Sequence, residues 1–529
     1  MKTAGLLVLI TGLLQVVAAA GDALPLKDMV EVANRHQMPL PPKGAPLVLA
    51  HTRTWSSITG GSNPRDPGLY SPAFLIKTNS DRSVVILRGT EEEELRPFGP
   101  CGPNDPLIRP FTDREIKPIL GGYVADFYPS TLVCAVQLAA RGDEAKAQRV
   151  WRRLAAKPWA PKNPRLLLFI YLYKHLESRL TQEPDHWPEI RLRMRSLFDD
   201  FPALLADPYR QSVFDGLTLA LNPTAPAPAP DSTAALLLSW SRIPAPVHPR
   251  NPSPAISYRS HWVGTGLEET MIMRGAAAAP DLIALLDDRR VTTHQDGGYG
   301  KVPVEIVPLG RLAGGLLSRI TGIPGQRGST AEQTAEFRAW LEQSRQNGEQ
   351  EALARGVFRR EGGKITWINM TPVYILAEKH PERLGPLCEE FSRDAKPDTS
   401  PFGLWTTVVD SRLPKEAKVS ILTGIALHGP LRNRHEALQL LAPLDNVKCA
   451  ETLLPIIQAL PIDSTYPYST CPEAALARSV MLLDNDEIWR AFLEAAKRSS
   501  VGQRMEMLAG LYKLRQSKCT RRAVNIDSD

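Results

Sequence analysis

Beyond its first twenty residues the sequence has no apolar run long enough to cross a bilayer, which takes about 20 consecutive apolar residues. It has no Cys-x-x-Cys pair, so nothing in it reads as a zinc ribbon or a thioredoxin-like redox centre. It has no Gly-x-Ser-x-Gly elbow, the local mark of an α/β-hydrolase nucleophile. It has no long basic run either. The 63 Lys and Arg against 57 Asp and Glu give +6 over 529 residues, too dilute for a nucleic-acid track.

Two near-motifs fail at one position each that their chemistry requires. His435-Glu436-Ala437-Leu438-Gln439 begins like a zinc-protease helix, but the second metal ligand at i+4 is a glutamine. Gly297-Gly298-Tyr299-Gly300-Lys301 suggests a phosphate loop. Its leading glycine is missing, and Val302 stands where a magnesium-binding hydroxyl is needed. No cofactor and no metal site follow from the sequence.

What is present begins with a leader. Lys2 supplies a positive n-region, Ala4 to Val17 an apolar core, and Ala18-Ala19-Ala20 a small-x-small cleavage site before Gly21. Residues 1–20 are therefore expected to be a signal peptide and the chain to be exported, periplasmic or extracellular, with no membrane span after cleavage. The absence of cysteine at the cleavage site argues against a lipid anchor. Six cysteines remain, an even number that suits an oxidising compartment. Cys101–Cys134 and Cys449–Cys471 are the sequence-local pairs, and buried free thiols are the equal alternative.

Residues 21–122 form a loop-rich N-terminal segment with a small β element. Leu47-Val48-Leu49, Ala73 to Ile76 and Val84 to Leu87 are strand-like, and Asn79-Ser80-Asp81 makes a hairpin turn between the last two. Glu91 to Glu94 reads as a solvated loop edge. Residues 123–221 are helical, with Gly142-Asp143 turning one helix into the next; this pair resembles a tetratricopeptide-type helical hairpin. Trp151, Trp159, Trp187, Tyr171 and Tyr173 crowd these helices. They read as core, with a ligand groove as the alternative. Residues 222–256 are a Pro-rich linker with a short helix near 234–240. From 257 to 529 short helices recur to the end.

The stretch from Gly264 to Ile323 shows the pattern best. One helix stops at Gly275, a second starts at Pro280 with Leu282, Ile283, Leu285 and Leu286 as its stripe, and a third follows Pro308. Leu309, Leu312, Ala313, Leu316, Leu317 and Ile320 give the third an amphipathic face, and Gly322 ends it. Helices shorter than about 12–15 residues are marginal alone, so they must stack. Leu286-Asp287-Asp288 is echoed by Leu444-Asp445-Asn446 and Leu483-Asp484-Asn485.

Arg274 to Arg290 followed by Leu309 to Ile323 resembles the HEAT-like repeats of exported bacterial HEAT-repeat proteins. Gly275, Ala278, Pro280, Leu282, Leu285, Leu286 and Asp288 occupy the family's pattern. The resemblance implies a mainly α fold, an armadillo-type α-solenoid of HEAT-like helix pairs, used for binding or scaffolding without catalytic residues.

The leading expectation is thus an exported, non-enzymatic solenoid that binds an unidentified protein or envelope partner and no nucleic acid. The alternative is an exported hydrolase or carbohydrate-binding protein. Its site would lie near the 292–301 loop, where Asp287, Asp288, His294, Asp296 and Lys301 form the densest polar cluster in the sequence.

Overall fold

The computed structural model describes residues 26–51, 70–79, 84–88, 91–95, 108–110, 124–155, 164–223, 226–244, 266–296, 305–324, 331–396, 399, 403–429, 431–459, 476, 479–480, 483 and 485–499. The leader, Cys101, Cys471, Cys519, Trp159, Lys301 and the expected helix at 501–514 lie outside them. The described chain is mainly helical, with a few small strands. It forms two units. One comprises Met1–Pro226, Ser241–Val247 and Arg289–Pro308; the other comprises Ala227–Trp240, His248–Asp288 and Leu309–Asp529.

In the first unit, helix α1 (Leu26–Arg35) buries Leu26, Met29, Val32 and Ala33, the spacing of one apolar face. The strand-like runs follow as β1 (Leu47–His51), β2 (Tyr70–Thr78) and β3 (Val84–Arg88). They pair antiparallel, and Leu47, Phe74 and Leu87 align across them. All three are buried and join the helical core. The acidic run is not a loop, as its composition suggested, but the edge strand β4 (Glu91–Leu95), paired with β3. The opposite edge, in a stretch expected to be loop, is β5 (Ile108–Pro110), which pairs with β1. Charge and proline are how edge strands resist further pairing, so composition that argues against a central strand is compatible with these two.

Helix α2 (Val124–Ala140) is the hub of this unit. Residues 132 to 138 are all buried, as befits a helix surrounded on every side; it packs on α1, β2 and its helical neighbours. Its one polar residue in that run, Gln137, donates from Nε2 to Pro39 O at 2.7 Å. Helices α3 (Glu144–Ala155), α4 (Pro164–Gln182), α5 (Trp187–Asp200) and α6 (Pro208–Leu221) complete the layer. Trp187 and Tyr173 are core residues, and Trp187 donates from Nε1 to Leu180 O at 2.7 Å. Trp151 and Tyr171 are half-buried against the same core.

The second unit holds α7 (Thr233–Trp240), α8 (Leu267–Met273) and α9 (Ala279–Ala284). The chain then gives the first unit a two-stranded hairpin, β6 (Val291–Asp296) and β7 (Glu305–Pro308). This corrects the expected loop at residues 292–296, which are strand; residues 297–301 of that expectation lie outside the described residues. Thr292 and Thr293 are fully buried in β6, and their hydroxyls donate to the carbonyls of Val307 and Ile243. A polar strand is buried at little cost when its hydroxyls find acceptors.

The second unit resumes with α10 (Leu309–Thr321), whose predicted stripe is buried except for the half-buried Leu312. It continues through α11 (Ala331–Asn347), α12 (Glu349–Val357), the hairpin β8 (Phe358–Glu361) and β9 (Lys364–Ile368), and α13 (Met370–Lys379). Then come α14 (Leu384–Asp394), α15 (Leu404–Asp410), α16 (Lys415–His428), α17 (Leu431–Leu444), α18 (Asn446–Gln458) and α19 (Asp486–Arg498). Their apolar faces make one core running from Leu237 to Ala496. From α13 onward the main packed pairs are described helices one or two places apart, such as α14 with α16, α15 with α17 and α16 with α18.

The sequence echoes have a capping explanation. Asp445 Oδ1 accepts from Lys448 N at 2.9 Å at the start of α18. Asn485 Oδ1 accepts from Glu487 N and Ile488 N at 2.9 and 3.1 Å at the start of α19. The capping residue sits one place after the leucine in the first and two places after it in the second. Leu286-Asp287-Asp288 caps no helix; there the Asp288 carbonyl accepts from Gly310 N at 2.8 Å.

Candidate functional site

The polar residues singled out by sequence divide between the units. Asp287 is exposed and Asp288 half-buried in the second unit. His294 is half-buried on β6 of the first, and Asp296 pairs with Glu305 at the end of that strand. His294 N donates to Thr292 Oγ1 at 3.1 Å, a local turn that steers the strand. His435 and Glu436 are half-buried on α17. Among the described residues no group of three or more His, Cys, Asp and Glu side chains could hold a metal ion.

The cysteines expected to pair are placed only in part. Cys134 is fully buried on α2. Cys388 and Cys449 are buried free thiols. Cys449 Sγ donates to Leu438 O at 3.3 Å, and burial, helped by nearby Asp445, lifts its pKa to about 12.

The sequence did not single out the polar cluster that seats the β6–β7 hairpin. Asp207 caps α6 by accepting from Tyr209 N at 3.0 Å. This holds Tyr209 on the first turn of α6, where its hydroxyl donates to Glu177 Oε1 on α4 at 2.6 Å. The Tyr209 hydroxyl oxygen in turn accepts from Ile306 N on β7 at 2.8 Å. Burial raises the pKa of both Glu177 and Tyr209 above their ordinary values. Elsewhere on α4, burial and the Arg193 and Arg179 guanidiniums depress His175 to about 4. A Tyr-Glu pair spaced 32 residues apart across two helices leaves no local spacing to find.

The second unit offers a concavity. Between α14 and α16 lies a cavity of about 530 Å³ lined by Gly385, Cys388, Ser392, Ile421, Gly424, Ile425 and His428, among others. Its size falls within the range of ligand and side-chain pockets, roughly 300–1,000 Å³. Glycines on both helices make the room: a Cβ built on Gly424 would meet nothing within 4 Å, and one on Gly385 would meet only Ile421, at ordinary contact distance. A second cavity of about 380 Å³ adjoins α16 beside Asp445 and Lys448, and Ser420 lines both.

The larger cavity lacks the geometry of a nucleophilic site. Cys388 is buried and its pKa is pushed well up, the opposite of thiolate activation. Ser392 Oγ is buried with no hydrogen-bond partner, so no base is in contact with it as nucleophilic catalysis requires. His428 is exposed at the last turn of α16.

Comparison of the chain with protein-family models, with curated proteins and with solved structures finds no match to any of the three.

Proposed function

We propose that the chain is an exported, HEAT-like α-solenoid that binds a protein partner without catalysis, and that the partner seats on the second unit beside α16. The observation that carries this reading is the 530 Å³ cavity between α14 and α16. It is apolar on the Ile421 and Ile425 side, open, and without a nucleophile–base contact. The packing of α14 to α19 mainly with helices one or two places away supports the solenoid, because stacked repeats contact mainly the units beside them. The leader supports export. Among the described residues no helix is long and apolar enough to cross a membrane.

The test fills the cavity. Gly424→Phe projects a ring from a position where a Cβ meets no atom within 4 Å and replaces a helical glycine with a better helix former; circular dichroism and thermal unfolding check that the variant is folded before capture is compared. Wild-type protein is used to capture partners from envelope and extracellular fractions. A captured protein that Gly424→Phe loses supports the reading. Equal capture by both proteins would exclude the cavity, and no capture by wild type would exclude the function.

A further inference from the structure

The cavity between α14 and α16 has a direction. A Cβ on Gly385, in the first turn of α14, would touch Ile421 in the middle of α16. From that contact the lining residues of both helices run onward in sequence, through Cys388 to Arg393 on α14 and through Gly424 to His428 on α16. The two helices therefore lie side by side and point the same way, with their last turns at one end of the groove. Gly385 to Ser392 spans two turns, about 10.5 Å. Spread over that length, 530 Å³ gives a cross-section of about 50 Å². A helix with its side chains is about 10–12 Å across, roughly twice that area. The groove thus admits a stripe of side chains and not the rod that carries them.

Cys388, Ile421 and Ile425 give the groove apolar walls, and its α14 rim carries two charges of opposite sign. Glu389 and Arg393 are exposed one turn apart. Glu389 joins no ion pair among the described residues. Arg393 uses only Nε, on Asp394 Oδ1 at 3.2 Å, which leaves both terminal nitrogens open. The neighbouring carboxylates of Glu390 and Asp394 already face Arg360.

We propose, resting on the reading of this cavity as the partner's seat, that the groove takes an amphipathic helix of the protein partner, antiparallel to α14 and α16. Its apolar residues at i, i+3 or i+4, and i+7 fill the cavity. An Asp or Glu faces Arg393, and a Lys or Arg four residues later faces Glu389. Both walls are helices whose backbone groups bond within themselves. An extended segment would find no edge to pair with and would bring bare amides against apolar side chains, whereas a helix satisfies its own backbone. Both α14 and α16 bring the negative ends of their dipoles to the Arg393 end, which favours the positive N-terminus of a third helix there. That orientation puts the acidic residue first and the basic one a turn later, the order that also stabilises the helix by itself.

The experiment pans a displayed library of helical peptides of about sixteen residues, long enough to hold a helix, against the full chain. Gly424→Phe and the charge swap Glu389→Arg with Arg393→Glu are panned in parallel, each checked for folding by circular dichroism. Wild type is expected to enrich peptides with the apolar stripe and with Asp or Glu four residues before Lys or Arg. Gly424→Phe should weaken these peptides by about tenfold or more, as blocking an anchor pocket does. The charge swap should weaken them severalfold, the scale of exposed ion pairs, and should itself enrich peptides of the opposite charge order. Peptides lost on Gly424→Phe that show no charge order, or the same order on wild type and swap, would overturn the proposed helix and leave the cavity as the seat. Peptides that bind Gly424→Phe as well as wild type would exclude the cavity itself. No enrichment on wild type would overturn the helical occupant, whatever partner capture shows.

Discussion

The two units bury similar apolar side chains but tie them together over different spans of sequence. In the first, the decisive hydrogen bonds join distant residues: Gln137 to Pro39, His36 to Asp200, Arg193 to His36, and Ile306 to Tyr209, each nearly 100 residues apart or more. In the second, Lys379 on α13 reaches back 105 residues to the Arg274 carbonyl, and beyond it the ties are shorter. Thr399 bonds Ile365, Arg360 pairs with Asp394, and Arg498 bonds Gln458. Non-local contacts reward a chain only after large loops have closed. The first unit should therefore stand or fall as a whole, and the helical run of the second should yield in pieces. That difference suits the roles assigned above, with the first unit holding a hairpin in register and the second presenting a helical surface.

The largest expected effect breaks the first unit. Phe74→Ala removes a fully buried ring from the Leu47–Phe74–Leu87 row, where Arg141 also stacks at 5.0 Å. A Phe→Ala change in a core costs about 3–5 kcal/mol. Urea unfolding should show the sheet and α2 lost in one transition; loss of the sheet alone would contradict a single cooperative body. A smaller effect is expected in the second unit from Gly356→Ala. A Cβ there would run into the Thr321 carbonyl, with Gly322 N also within 3.4 Å. Overpacking of this kind costs about 1–3 kcal/mol. Limited proteolysis should find new cuts near α10 and α12 with α16 to α19 intact. Uniform cleavage across the unit would mean it is no less cooperative than the first.

How much of this was legible follows from the same contrast. Helices with an apolar face of their own could be read directly: the α10 stripe and the stop at Gly322, whose φ is 78°, are in the sequence. So were β1 to β3, because branched and apolar residues bounded by turn residues need no partner to identify them. What was missed depended on partners. The four glutamates of β4 form a strand only because β3 lies beside them. The β6 threonines form one only because Val307 and the 241–243 turn accept their hydroxyl and amide hydrogens. One miss did carry a local signal. Gly362-Gly363, both at positive φ, make a two-residue turn between β8 and β9, and a Gly-Gly pair between short runs marks a hairpin. At the candidate sites, Gly385 and Gly424 looked like ordinary helical glycines, since the space they leave exists only when α14 and α16 meet. Tyr209 and Glu177 share no spacing rule at all.

The smallest effect is also the sharpest comparison, because it places one chemistry in both units. Asp207 caps α6 and Asn485 caps α19, each through its side-chain oxygen. Replacing either with alanine should cost about 1 kcal/mol. In Asn485→Ala the loss should stay within the first turn of α19, read as faster amide exchange at Glu487 and Ile488 with α16 to α18 unchanged. In Asp207→Ala the residue freed is Tyr209, whose hydroxyl ties α4 to β7. Arg210, 3.4 Å from the Asp207 carboxylate, also loses its partner. The same cap energy should therefore appear a second time, as faster exchange at Ile306, 99 residues along the chain. If Asp207→Ala disturbs only its own helix end, the two units respond alike, and the contrast drawn from their hydrogen-bond spans does not govern how they yield.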